Sequence, residues 1–151
     1  VMENAQDTFI SSCMWTERLG FAASLATIKK FKKISLQKKL IKYGKQIKNG
    51  WRDISINTNE KILIAGIDPI PQFNFEKNHI VKSTFFNQEM LKRGYLVNNR
   101  LCTTKAYSSK IINKYLDNTY DVLNIISKYE KKGKDLPLEG PPRHETFKRL
   151  A

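Results

Sequence analysis

Residues Phe9 to Ile28 read F-I-S-S-C-M-W-T-E-R-L-G-F-A-A-S-L-A-T-I, small polar residues passing into an Ala-rich run. Ser11, Ser12 and Cys13 place two hydroxyls and a thiol just ahead of a predicted helix. Side-chain donors and loop amides in that position form an edge that an anion such as phosphate can use. The same composition also serves an ordinary loop and helix cap. Thr16 is the expected cap, with Glu17 in the first turn, and Leu19, Ala22, Ala23, Ala26 and Thr27 make a narrow face of small residues suited to close packing. The helix is predicted to end before Ser35.

Downstream, Ser35 starts a second helix whose apolar residues Leu36, Leu40, Tyr43, Ile47, Trp51 and Ile54 step by three or four, one stripe facing a core. Lys61 to Ile67 is a short β-prone run. The D-P-I-P turn separates it from Phe73 and Phe75, which alternate as in a half-buried strand. A third helix is expected over Ile80 to Lys92, stopped at Gly94. Leu96 and Val97 are extended, Asn98 and Asn99 turn, and Leu101 to Thr104 is predicted to pair back. Ser108 or Ser109 caps a long helix that buries Ile112, Tyr115, Leu116, Thr119, Val122, Leu123 and Ile126 and ends at Lys131, Lys132 and Gly133. The Pro- and Gly-rich tail L-P-L-E-G-P-P-R-H has no periodicity and needs another surface to lie on.

The 151 residues are enough for a core, and 40% are hydrophobic. No run of about 18 apolar residues marks a membrane span, and no signal peptide is evident, which points to a cytoplasmic protein. Cys13 and Cys102 form no C-x-x-C pair or Cys/His cluster, so neither a disulfide framework nor a metal site is expected. The net charge is +13, yet the excess is mostly Lys scattered along helices. Lys29, Lys30, Lys32 and Lys33, and Lys128, Lys131, Lys132 and Lys134, sit at helix ends, where cations suit the dipole. They are read as solvated faces, not as a nucleic-acid patch. The sequence contains no Walker loop, G-x-G-x-x-G, H-E-x-x-H or nucleophile elbow. His79 and His144 stand alone and are read as surface or tail residues. Val1 is not an initiating Met, and V-M-E-N-A-Q reads as the end of a helix begun upstream, so the chain is expected to be part of a longer one.

The order of residues in Phe9 to Ile28 resembles the class III aminotransferases of the pyridoxal-phosphate (PLP) fold type I superfamily, above all the glutamate-1-semialdehyde aminomutase-like branch. Ile41 to Trp51 (I-K-Y-G-K-Q-I-K-N-G-W) is similar to the family's G-K-x-I-x-x-G-W helix. Phe85 to Leu96 (F-F-N-Q-E-M-L-K-R-G-Y-L) is similar to its F-x-Q-E-M-L-K-R-G-x-L segment, and Phe147 to Leu150 (F-K-R-L) to its last residues. These landmarks keep the family's order along nearly the whole chain.

The resemblance implies an α/β fold of the α+β small-domain kind, the C-terminal domain of a fold type I enzyme, with long helices packed on a small, mainly antiparallel sheet. It implies three parts: the end of the large domain with its connecting helix over 1–34, the small domain over 35–133, and the tail over 134–151. It also implies pyridoxal 5'-phosphate as cofactor, an amino donor and a carbonyl or semialdehyde as substrates, and a homodimer with shared active sites. In this family a Thr before W-T-E-R bonds the cofactor phosphate of the neighbouring subunit. That position is Cys13 here, and a thiol is a weaker donor, so Ser12 and Cys13 together are the expected cofactor-binding residues. The Schiff-base lysine falls upstream of Val1, so no catalytic residue is assigned and the chain alone is not expected to be active. Glu17 and Arg18 belong to the motif and either orient substrate or pair with each other, the pair being the favoured reading. Tyr107 replaces a family His and is read as packed, Trp51 as core, and Trp15 as a wall of the substrate entrance. Two other classes fit parts of the pattern: a basic RNA- or lipid-binding module, and a non-catalytic dimerisation remnant.

Overall fold

The computed structural model describes residues 17–144, divided between two units, 1–36 and 37–151. The first contributes α1, Arg18–Lys33, none of whose residues is buried. Leu19, Ala22, Ala23, Ala26 and Thr27, the face expected to pack closely, are all exposed. Within its own unit α1 is the element described. Glu17 occupies the N-cap with an extended backbone and no side-chain cap bond; Thr16, the expected cap, lies outside the described residues. Lys30, Lys32 and Lys33 fill the last turn. Ser35 takes a left-handed conformation with φ 47°, ending one helix before the next begins.

The second unit is built on α2, Leu36–Thr58, β1, Ile62–Ala65, β2, Gln72–Phe75, α3, His79–Lys92, and α4, Ser109–Lys131. β1 and β2 pair antiparallel with Ile62 opposite Phe75 and Ile64 opposite Phe73. Strand alternation sends Phe73 and Phe75 into the core and leaves Asn74 exposed. Segment 99–103 runs along the other side of β2 and its leading turn: Phe73 N donates to Asn99 O, Leu101 N to Pro71 O and Thr103 N to Pro69 O, all within 3.0 Å. This is the pairing expected of Leu101 to Thr104, but its partner is the stretch leading into β2, not the residues just before it.

Three helices close on this small sheet. α2 buries Tyr43, Ile47, Trp51 and Ile54 from its predicted stripe, while Leu36 and Leu40 at its start stay half-buried. α4 buries Ile112, Tyr115, Thr119, Val122, Leu123 and Ile126, the face its periodicity specified, with Leu116 packed at the margin. Ser108 caps it, accepting the Ile111 N–H at 3.3 Å. α3 adds Phe85, Phe86 and Met90, then ends ahead of Gly94 at φ 83°. Phe73 lies at the centre, meeting Trp51 at 4.9 Å and Phe86 at 5.3 Å between ring centroids, both edge-on.

Two glycines of the α2 landmark make this packing possible. A Cβ on Gly44 would stand 1.5 Å from the Asp68 carbonyl oxygen, so only glycine lets the turn after β1 lie on the helix. A Cβ on Gly50 would meet the Leu116 methyl groups from 2.4 Å. The tail finds its surface on α3: Gln88 donates to Pro137 O and accepts from Glu139 N, and Leu136 and Leu138 touch the core. Among the described residues no helix is long and apolar enough to cross a membrane, and no cluster of His, Cys, Asp and Glu could hold a metal.

Candidate functional site

Ser12 and Cys13, the expected cofactor-binding residues, lie outside the described residues, as do Trp15 and Phe147 to Leu150. The motif re-enters at Glu17 and Arg18, which are exposed and form no ion pair with each other. Neighbouring residues at a helix start point to different sides, so the expected pairing is not made. His79 is the exposed first residue of α3 and His144 is exposed in the tail.

The segment between α3 and α4 forms an apolar recess of about 200 Å³ lined by Ile47, Tyr95, Leu101, Tyr107, Ile112 and Tyr115, among others. Tyr107 packs half-buried against the core, as expected of the residue that replaces a family histidine. Burial, and then the charge of a Cys102 thiolate, raise its phenol above the usual range. Tyr115 is deeper and is pushed up to about 12 by burial; Trp51 Nε1 donates to its oxygen at 3.2 Å.

One charged cluster escaped the sequence reading. Lys82 of α3 is 4% exposed, with Nζ 2.6 Å from Glu60 Oε1 and 2.9 Å from Glu130 Oε2. Glu60, 2% exposed, follows α2 and leaves Oε2 without a hydrogen-bond partner. Burial raises the Glu60 carboxyl above the usual carboxylate range against the opposing pull of Lys82. Hydrogen bonding to Lys82 lowers that of Glu130. The cluster forms the floor of an open pocket of about 260 Å³, with Asn59, Lys61, Glu76, Lys77, Ser127 and Lys131 around it. Lys48, the other lysine largely withdrawn from solvent, bonds Asp68 Oδ1 at 3.0 Å and Gly66 O at 2.6 Å. Both lysine side chains thus act as structural hydrogen-bond donors.

No family description and no curated protein matches the sequence. Among solved structures, 86% of the chain superposes on the PLP internal aldimine form of the FumI protein from Sphingopyxis sp. MTA144, with a TM-score of 0.69 and 17% identity. The chain spans 32% of that protein's length. The fold of this chain is therefore similar to that of part of the FumI protein: an α-rich domain around a small antiparallel sheet.

Proposed function

We propose that this chain is the C-terminal portion of a PLP-dependent class III aminotransferase or aminomutase of the glutamate-1-semialdehyde aminomutase-like branch, moving an amino group on a carbonyl or semialdehyde substrate. The observation that carries the proposal is the superposition of 86% of the chain on a PLP-bound protein at a TM-score of 0.69. It is joined by the ordered landmarks of the sequence, two of which the fold explains: the glycines of the α2 segment admit Asp68 and Leu116, and the α3 segment supplies Phe85, Phe86 and Met90 to the core.

In this reading the complete protein is a cytoplasmic homodimer with sites shared between subunits. Pyridoxal phosphate, when bound, supplies the electron sink for chemistry at the carbon bearing the amino group. The chain's own contribution is to donate hydrogen bonds to the cofactor phosphate from Ser12, Cys13 and the neighbouring amides, and to form one wall of the pocket. The amine that anchors the cofactor belongs to sequence preceding Val1.

The test is reconstitution of the complete protein with pyridoxal phosphate. A visible absorbance band that shifts on adding an amino donor is expected. Ser12→Ala should weaken cofactor retention, and Cys13→Thr, which restores a hydroxyl, should strengthen it. Absence of the band after reconstitution would overturn the proposal. Retention unchanged in both variants would remove these residues from the phosphate site.

A further inference from the structure

β2 reads Q-F-N-F, and the strand period that buries Phe73 and Phe75 sets Gln72 and Asn74 on the opposite face. Segment 99–103 brings Arg100 level with Gln72 in an antiparallel bridge, and Arg100 Nε donates to Gln72 Oε1 at 3.2 Å. The tail returns along α3, where Arg143 N donates to Thr84 Oγ1 at 3.0 Å and a guanidinium nitrogen of Arg143 reaches Asn98 Oδ1 at 3.4 Å. Residues distant in sequence thus surround an open pocket of about 320 Å³, lined by Gln72, Asn74, Asn98, Asn99, Arg100 and Arg143. Asn99 is held on two sides: its backbone N–H donates to Asn98 Oδ1 at 2.6 Å, and its side-chain Nδ2 donates to Ser83 Oγ at 2.8 Å.

The charge balance of this pocket is one-sided. No carboxylate lines it, and among the described residues neither arginine takes part in an ion pair. Each guanidinium carries five N–H donors, of which the bonds above use one apiece, and the remainder match the paired oxygens of a phosphate or carboxylate. The carboxamides around them donate and accept, as hydroxyls or amides on the same ligand require. The volume is at the small end of small-molecule sites.

We infer that this pocket is an oxyanion-binding site, in which Arg100 and Arg143 together hold the phosphate or carboxylate group of a small polar ligand. It involves none of the residues assigned to the cofactor phosphate and stands whether or not the chain belongs to a PLP enzyme.

The experiment is titration of the chain with inorganic phosphate in one arm and succinate in the other, followed by calorimetry and by amide NMR shifts. Saturable binding of at least one anion is expected, with shifts centred on 98–100 and 143, and the tighter arm identifies the group. Arg100→Gln and Arg143→Gln should each weaken it about tenfold or more, the scale of a lost charge-assisted hydrogen bond. Lys105→Gln removes the same charge from an exposed residue outside the pocket and should leave affinity unchanged. Thermal melts confirm that the variants fold. No saturable binding of either anion, or an equal loss in Lys105→Gln, overturns the assignment.

Discussion

Lys82 Nζ lies 2.6 Å from Glu60 Oε1, with the two side chains 5% and 2% exposed, and it binds α3 to the connection between α2 and β1. Glu130 of α4 completes the arrangement from a half-exposed position. One ammonium therefore ties three parts of the domain at the sheet's end, and the ring of Phe75 lies 6.0 Å from it. Such pairs are weak sources of net stability but costly to break from one side, because the surviving charge is left buried.

Lys82→Met is accordingly expected to destabilise the chain by about 3–5 kcal/mol. The double variant Lys82→Met with Glu60→Leu should recover much of that loss. Glu130→Gln, at a solvent-screened carboxylate, should cost under about 1 kcal/mol. Urea unfolding of the set measures all of these. A double variant no more stable than Lys82→Met would show that the cluster's cost is one of shape rather than charge.

The same cluster sets a pH dependence. Burial raises the Glu60 carboxyl above its ordinary 4.5 in the folded chain. The folded state therefore holds this proton more tightly, and the Glu60 contribution to stability falls as pH rises from 4.5 through the raised value. Glu130 is shifted the other way; its contribution is present above 4.5 and is lost as pH falls through the lowered value. The window for Glu60 therefore opens at 4.5 and closes at its raised value, above the range in which Glu130 loses its contribution. The stability of Glu60→Gln relative to the parent should then improve with rising pH across that window. Unfolding free energies at each end of it provide the check, and the reverse trend would mean that attraction to Lys82 outweighs burial.

The helices were legible in the sequence where the apolar period ran unbroken: the α4 face from Ile112 to Ile126 and the α2 stripe from Tyr43 to Ile54 are buried as read. Side chains separated by long stretches were not. Lys82, Glu60 and Glu130 look like ordinary surface charges until the fold places them together, and Arg100 and Arg143 line one pocket only because the tail turns back along α3. The partner of 99–103 was equally hidden, since so short a β-prone stretch does not specify its neighbour. Of the candidate cofactor site, Ser12 and Cys13 came from residue order alone, and their surroundings lie outside the described residues.

The two α2 glycines should differ sharply in their tolerance of a methyl group. At Gly44 the obstacle is backbone, the Asp68 carbonyl at 1.5 Å, which can yield only by moving the turn after β1. At Gly50 it is the end of the Leu116 side chain, which can change rotamer. Gly44→Ala is expected to cost about 3 kcal/mol or more, the upper end of overpacking penalties, against roughly 1 kcal/mol for Gly50→Ala. Thermal unfolding ranks them, and equal costs would mean that the turn moves as readily as the side chain.

Tyr115 offers a spectroscopic readout of the core. Its phenol, pushed up to about 12 by burial, bonds Trp51 Nε1 at 3.2 Å. The folded state disfavours the phenolate, so this group adds stability below its ordinary value of 10.0 and withdraws it as pH rises beyond. In an alkaline absorbance titration, a late step above the ordinary 10.0 is expected from Tyr115, and it should be lost on unfolding. Tyr115→Phe should remove the late step and cost about 1–3 kcal/mol, because the buried Trp51 N–H loses its acceptor. If the late step persists in Tyr115→Phe, it belongs to another tyrosine, and half-buried Tyr107, also raised by burial, is the next to replace.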